Sequence, residues 1–547
     1  MNKSRIITLV AVLTLSCENT SVPLNQWVSY DETEELKSNE NHPINRMRFK
    51  RIQSKHSDRN TFFTPFEKEL SQFSETDYEQ LKPLILEQDI LSIQNYIQQG
   101  ELTYEQLTLF YLYRIYRFET DKNTYLNAII SLNPEVLSQA RLCDKNREKA
   151  LQHPLYGIPI LLKDNINATP MATTAGAAAF QNNYPQEDAF LVKRLREKGG
   201  LILGKVNLSE WAYYFCSGCP LGYSAMGGQT LNPYGRKQFE TGGSSSGSGV
   251  AVAANYASVA IGSETSGSIL SPSGKNSVVG LKPTIGAVSR SGVVPISSTL
   301  DTAGPMTKNV LDNAIVMSVL VGEDPTDEYS YSSNPISYQV LDTVSLKGKR
   351  LGVFKAFEKD SLMGSVLSKI KNAGAEIVSI DPPEVVLKNF RRLLDVDMRA
   401  DLPKYIKNYG AQGLEFESVQ DVIAFNLKDS LLHAPYGQEI FLRVAGETRT
   451  QEDFKEDKEE LMRLAKSYFQ SIEQQQLDAI LSIDNYTASY AAAAHYPALG
   501  VPMGYTSDGQ PQNLTFIAPS RQEQTLLELG AAFERLVSAR KFPVLFQ

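Results

Sequence analysis

The chain has 547 residues, 42% hydrophobic and 21% charged, with 35 Gly and 26 Pro spread along it. That is the composition of a globular protein and excludes a collagen-like, coiled-coil or wholly disordered chain. A formal net charge of −8 without a long basic run offers no cationic surface to displace the counterions of a polynucleotide, so no nucleic acid partner is expected.

The first residues have the pattern of an export signal. Lys3 and Arg5 precede an apolar stretch from Ile6 to Leu15, half the roughly 20 residues a spanning helix needs. Cys17 directly follows that stretch and resembles a bacterial lipoprotein cleavage site, although Thr14 stands where Leu is usual. The expectation is residues 1–17 as a signal, removed at Cys17, with the protein lipid-anchored at the cell envelope. A plain secretory signal is the alternative. No later segment is long and apolar enough to span a membrane. Residues 18–85 are rich in Asn, Ser and Glu and read as a tether with a poorly defined N-terminal segment.

Regular structure is expected from residue 86 onward. Thr103 with Gln106 forms a capping box opening a helix through Tyr111 and Tyr113. Asn133-Pro134 starts another. The apolar runs Ile158–Leu162, Leu201–Gly204, Val259–Ile261 and Val278–Leu281 are continuous rather than alternating, as in strands buried on both faces. Arg350–Phe354 and Ala375–Ile380 are strands flanking a helix from about Leu362 to Asn372. Residues 384–475 are charged and helical, a helical insertion. The end returns to the core with strands at Leu477–Ile483, Ala498–Tyr505 and Asn513–Ala518, then a helix capped by Ser520 and Glu523. Strands alternating with helices define an α/β fold: one domain over 86–547, built on a large mixed, mostly parallel sheet covered by helices.

After Cys17 only Cys143, Cys216 and Cys219 remain, an odd number that argues against a disulfide framework. Cys216-Ser-Gly-Cys219 has C-x-x-C spacing, but a zinc site needs a second ligand pair, which is absent. The pair reads as two small loop residues, with a disulfide formed after export as the alternative.

The stretch from Thr241 to Leu270, TGGSSSGSGVAVAANYASVAIGSETSGSIL, must carry the chemistry. Gly, Ser and Ala dominate it, residues that let a backbone approach a ligand closely. A Ser/Gly linker would not contain the core-type residues Val250–Ala254 and Val259–Ile261. A phosphate loop lacks its Lys, since Ser248 follows Gly247. The nucleophile elbow G-x-S-x-G fits Gly243–Gly247 formally, yet Tyr234–Thr241 is too polar to be the buried strand that motif requires. A neutral-pH base must be a His or a desolvated Lys. The five His, at 42, 56, 153, 433 and 495, all lie outside this region. Lys163 closes the strand Ile158–Leu162, where α/β sheets place ligand crevices.

GGSSSGS followed by SGSI, with Ser244 and Ser268 24 residues apart, resembles the amidase signature, and GIPILLKDN before it and VVGLKPT after it match further blocks of that family in order. The resemblance covers about residues 86–330 strongly and 477–540 moderately. The segments NLSEWA (207–212), GGQTLNPY (227–234) and SRSGVVPISSTLDTAGPM (289–306) look most like those of bacterial peptide amidases. The resemblance implies a Ser–cis-Ser–Lys triad of Ser268, Ser244 and Lys163, with the cis bond at Gly243–Ser244. It also implies an oxyanion hole from the backbone N–H groups of Thr265, Ser266 and Gly267.

No cofactor and no metal ion is implied; the partner is a small-molecule or peptide amide, and membrane contact comes only through the N-terminal lipid. The sequence departs from the family at Ser246 and Ser266 for Gly, Glu264 for Asp, and Leu270 for Arg. Lys282, Ser245, Ser248, Thr173 and Thr174 read as structural, and Asp301 as either a loop anchor or a group orienting the triad. The rival functions are a glutaminase subunit serving charged tRNA, which the export signal argues against, a fatty-acyl amide hydrolase, and an inactive surface binding protein on an amidase fold.

Overall fold

The computed structural model describes residues 24–547, so the export signal and the start of the expected tether lie outside the described residues. One sheet of eleven strands organises the chain. In chain order they are β1 (Ile129–Leu132), β2 (Pro159–Lys163), β3 (Leu201–Val206), β4 (Val259–Glu264), β5 (Val279–Lys282), β6 (Thr302–Thr307), β7 (Arg350–Phe354), β8 (Glu376–Ile380), β9 (Ala479–Ile483), β10 (Ala498–Tyr505) and β11 (Pro511–Ile517). Their order across the sheet is β1-β3-β2-β4-β6-β5-β10-β11-β9-β7-β8.

Every residue of β2 to β6 is buried, as continuous apolar runs demand when helices cover both faces. The sheet is less parallel than expected. Six of its neighbouring pairs are antiparallel and four are parallel. The parallel pairs lie toward the flanks, β3–β2–β4 on one side and β9–β7–β8 on the other. Between them the neighbours are antiparallel, and two of these pairs, β5–β6 and the β10–β11 hairpin, are joined directly without a helix.

The stretch read as a tether is packed from residue 24 on. Ile52, Phe66 and Tyr78 are buried within the main core, and the Ile52 carbonyl accepts from Gln229 N at 2.8 Å and Asn127 Nδ2 at 3.0 Å. Its apolar anchors are sparse and separated by polar residues, so composition alone disguises them. Thr103 and Gln106 do form a capping box, on the helix Tyr104–Glu119. The helix after Asn133-Pro134 begins at Val136. The Ser520–Glu523 cap does not form: the last helix, Glu523–Val537, has no side-chain cap. Ser520 Oγ donates to the His495 carbonyl instead, and Glu523 accepts from Thr284 N.

Between Phe390 and Gln474 the chain is helical and contains no strand. These helices share a second apolar cluster with Trp211, Phe215 and the helix Ala488–Ala493. Among the described residues no helix is long and apolar enough to cross a membrane.

Candidate active site

Two parallel neighbours, β2 and β4, bring their carboxyl ends to the same edge of the sheet, with Leu162 opposite Ile261. Beyond Leu162 the strand ends on Lys163; beyond Glu264 the chain turns through 265–269 into the helix Leu270–Lys275. A third segment, 241–245, crosses this edge before the helix Ser246–Ala253. Its Gly243–Ser244 peptide bond is cis.

Lys163 is fully buried. Its Nζ lies 2.7 Å from Ser244 Oγ, 2.9 Å from Ser263 Oγ and 3.0 Å from the Ser263 carbonyl. Asn165 Nδ2 also donates to Ser263 Oγ. Burial lowers the Lys163 pKa from its ordinary 10.5 to about 7, while the Asp301 and Glu264 carboxylates pull it upward. Among the described residues no carboxylate forms an ion pair with it. A neutral amine has two N–H donors, enough for Ser263, and one lone pair, enough for the Ser244 hydroxyl proton. Its neighbour has the opposite fate: Lys205 on β3 is equally buried but pairs with Asp164 at 2.9 Å.

The turn carrying Ser268 is clamped by Glu264. Its Oε1 accepts from Gly267 N at 2.6 Å, and its Oε2 from Ile269 N at 2.7 Å and Leu270 N at 3.0 Å. This corrects one expectation, because the Gly267 N–H is engaged by that carboxylate and is not free to meet an oxyanion. Among the described residues nothing accepts from the N–H groups of Thr265 and Ser266. Ser268 is partly exposed, and its carbonyl accepts from Ser245 N at 3.1 Å. Its hydroxyl makes no hydrogen bond to Ser244 here; the structure joins Lys163 to Ser244 and sets Ser268 on the adjoining turn. Gly267 has φ +86°, and a Cβ there would come within 2.9 Å of Asn485 Nδ2, so only glycine fits without adjustment.

Asp301 is a loop anchor, the first of the two alternatives foreseen for it. Oδ1 accepts from Thr265 Oγ1 at 2.5 Å, and Oδ2 from Ile296 N and Ser297 N. Burial raises its pKa to about 6. It also lines a cleft of about 340 Å³ with Pro295, Ser297, Lys404 and Tyr405, which stops short of Ser268. Ser245 ties its loop to β4 through Ser263, and Ser248 donates to the Ile261 carbonyl. Thr173 and Thr174 hydrogen-bond to Ile166 and Asp164. Lys282 donates to the Pro283 carbonyl, its pKa lowered to about 8 by burial. Leu270 is packed into the apolar cluster shared with the insertion. Cys216 and Cys219, expected as a bland pair, form a disulfide. Among the described residues no group of three or more His, Cys, Asp or Glu is placed to hold a metal ion.

A mixed sheet with a buried lysine and two serine-bearing loops at one strand edge is the arrangement of an α/β enzyme. The amidase family model matches residues 106–482. A probable amidase of Arabidopsis thaliana is 36% identical over 476 residues, 84% of this chain and 92% of that protein. The crystal structure of an amidase family protein from Bacillus anthracis superposes with a TM-score of 0.86 at 32% identity, covering 90% of this chain and 99% of that one. The native peptide amidase of Stenotrophomonas maltophilia gives a TM-score of 0.79 at 38% identity, covering 84% and 98%. The chain belongs to the amidase family of amide-hydrolysing enzymes.

Proposed function

We propose that this enzyme hydrolyses the carboxamide C–N bond of peptide or amino-acid amides, releasing the acid and ammonia, from an exported, lipid-anchored position. Ser268 Oγ attacks the amide carbonyl; its proton passes to Ser244 Oγ, whose own proton passes to Lys163 Nζ. The Thr265 and Ser266 N–H groups receive the oxyanion, each such donor contributing on the order of 3 kcal/mol. The tetrahedral intermediate expels nitrogen, which takes the relayed proton and leaves as ammonia. Water then cleaves the acyl-enzyme by the same route.

The observation that supports this most is the buried Lys163, without an ion-pair partner among the described residues and 2.7 Å from Ser244. A lysine in that setting is a base at neutral pH. The substrate class rests on the likeness to the peptide amidase. The purified enzyme should turn over dipeptide and amino-acid amides, leave internal peptide bonds intact and act weakly on long-chain acyl amides. Ser268→Ala should abolish turnover and fluorophosphonate labelling in a folded protein. A tenfold preference for a long-chain acyl amide overturns the substrate class; labelling retained in Ser268→Ala but lost in Ser245→Ala overturns the nucleophile.

A further inference from the structure

The Cys216–Cys219 disulfide has no part in the mechanism above, yet it closes the segment that backs Ser244. Ser209 N donates to the Ser244 carbonyl at 3.0 Å, and Gly222 N donates to Ser209 Oγ at 2.8 Å. Ser209 Oγ and Leu221 press on Gly243 so closely that a Cβ there would meet them at 2.7 and 2.9 Å. Gly222 abuts Thr241 and Ser246 in the same way. Segment 209–222 therefore forms the rear wall of the Ser244 loop, and the disulfide lies in its middle.

That segment is not held by local preference. Trp211, Ala212 and Tyr213 are consecutive non-glycine residues in the left-handed region, with φ of 51°, 53° and 74°. Such a run persists only where its surroundings over-determine it. The constraints are visible: Tyr213 Oη donates to the Cys219 carbonyl at 2.9 Å, Tyr214 Oη donates to Asp395 at 2.7 Å, and Ile440 N donates to the Phe215 carbonyl at 3.1 Å. Asp395 and Ile440 belong to the helical insertion. The disulfide thus closes the segment through which the insertion meets the wall behind Ser244.

We propose that the Cys216–Cys219 disulfide is a positioning element for Ser244, so that the oxidised enzyme is the active form and reduction turns it down. It rests on the proposed role of Ser244. In the step, a small dithiol supplies two electrons and two protons, the Sγ–Sγ bond breaks to two thiols, and the reductant leaves as its own disulfide. An intracellular pool of thiols keeps such pairs reduced, whereas an oxidising exterior closes them, so activity is acquired on export.

The full chain is compared oxidised, reduced with dithiothreitol to two additional free thiols, and reoxidised, alongside the Cys216→Ser/Cys219→Ser double variant. Reduction should lower kcat and the fluorophosphonate labelling rate at least fivefold with KM within twofold, and reoxidation should restore them. The double variant should match the reduced enzyme and ignore dithiothreitol. Amide hydrogen exchange should rise in 209–223 and also in 242–246. Labelling within twofold of the oxidised enzyme overturns the proposal, as does exchange that rises in 209–223 while 242–246 keeps its protection. The exchange arm needs no turnover, so a failure of the amidase mechanism, read from Ser268→Ala, stays distinguishable.

Discussion

Lys163 Nζ and Ser244 Oγ lie 2.7 Å apart with both side chains fully buried, and among the described residues no carboxylate forms an ion pair with the lysine. Below about pH 7 the amine is an ammonium and cannot accept the relayed proton; above it the amine is neutral. The expected kcat/KM therefore rises about tenfold per pH unit on the acid side, bends near pH 7 and levels off above. Rates measured from pH 5 to 9 check this, and a flat profile would rule out Lys163 as the base. A triad acting as the proposed unit predicts that Lys163→Ala with Ser244→Ala costs little more than the worse single variant.

Asp301 holds the Lys163 pKa up, since its carboxylate favours the ammonium. Asp301→Asn removes that charge, so the acid limb should move to lower pH. It also weakens the anchor of Thr265, so kcat should fall. A limb that stays in place or moves upward contradicts the electrostatic assignment.

Gly267→Ala puts a Cβ against Asn485 at φ +86°. The left-handed backbone should cost about 1–2 kcal/mol of stability, and displacement of the Glu264 clamp should lower kcat/KM at least tenfold. Thermal unfolding and steady-state kinetics measured together decide it; wild-type kinetics would show that the clamped turn is not needed.

Cys17→Ser should move the protein from the membrane fraction into the soluble periplasm or medium. If the unaltered protein already fractionates as soluble, the signal is an ordinary cleaved one.

Lys163, Ser244 and Ser268 were legible because their surroundings are: an unbroken apolar run ending in lysine, and glycine-serine loops with core residues between them. Ser263 and Glu264 were not read as parts of the site. At the end of β4 they look like any strand terminus, and only the fold turns one toward Lys163 and the other under the nucleophile loop. Strand β6 has no strand signal in the sequence. TAGPMT has Gly and Pro where a central strand should have branched residues, yet Gly304 is needed there because a Cβ would lie 2.0 Å from the Leu281 carbonyl. The packing of 24–85 was hidden by its polar majority, since a handful of anchors such as Ile52 and Phe66 suffices to fix it.

The uncharged state of Lys163 also bears on what happens after the bond is cut. On the proposed mechanism the acid product ionises beside the catalytic amine, and an ammonium there would grip it with a charge-assisted hydrogen bond. Above neutral pH the amine is mostly uncharged, and Asp301 and Glu264 are the carboxyl groups that act on it. The product then meets no ammonium at Lys163, so on the proposed mechanism end-product inhibition should be weaker above neutral pH than below it. It should strengthen at acid pH, where the amine is protonated, and product inhibition constants measured from pH 5 to 9 check this.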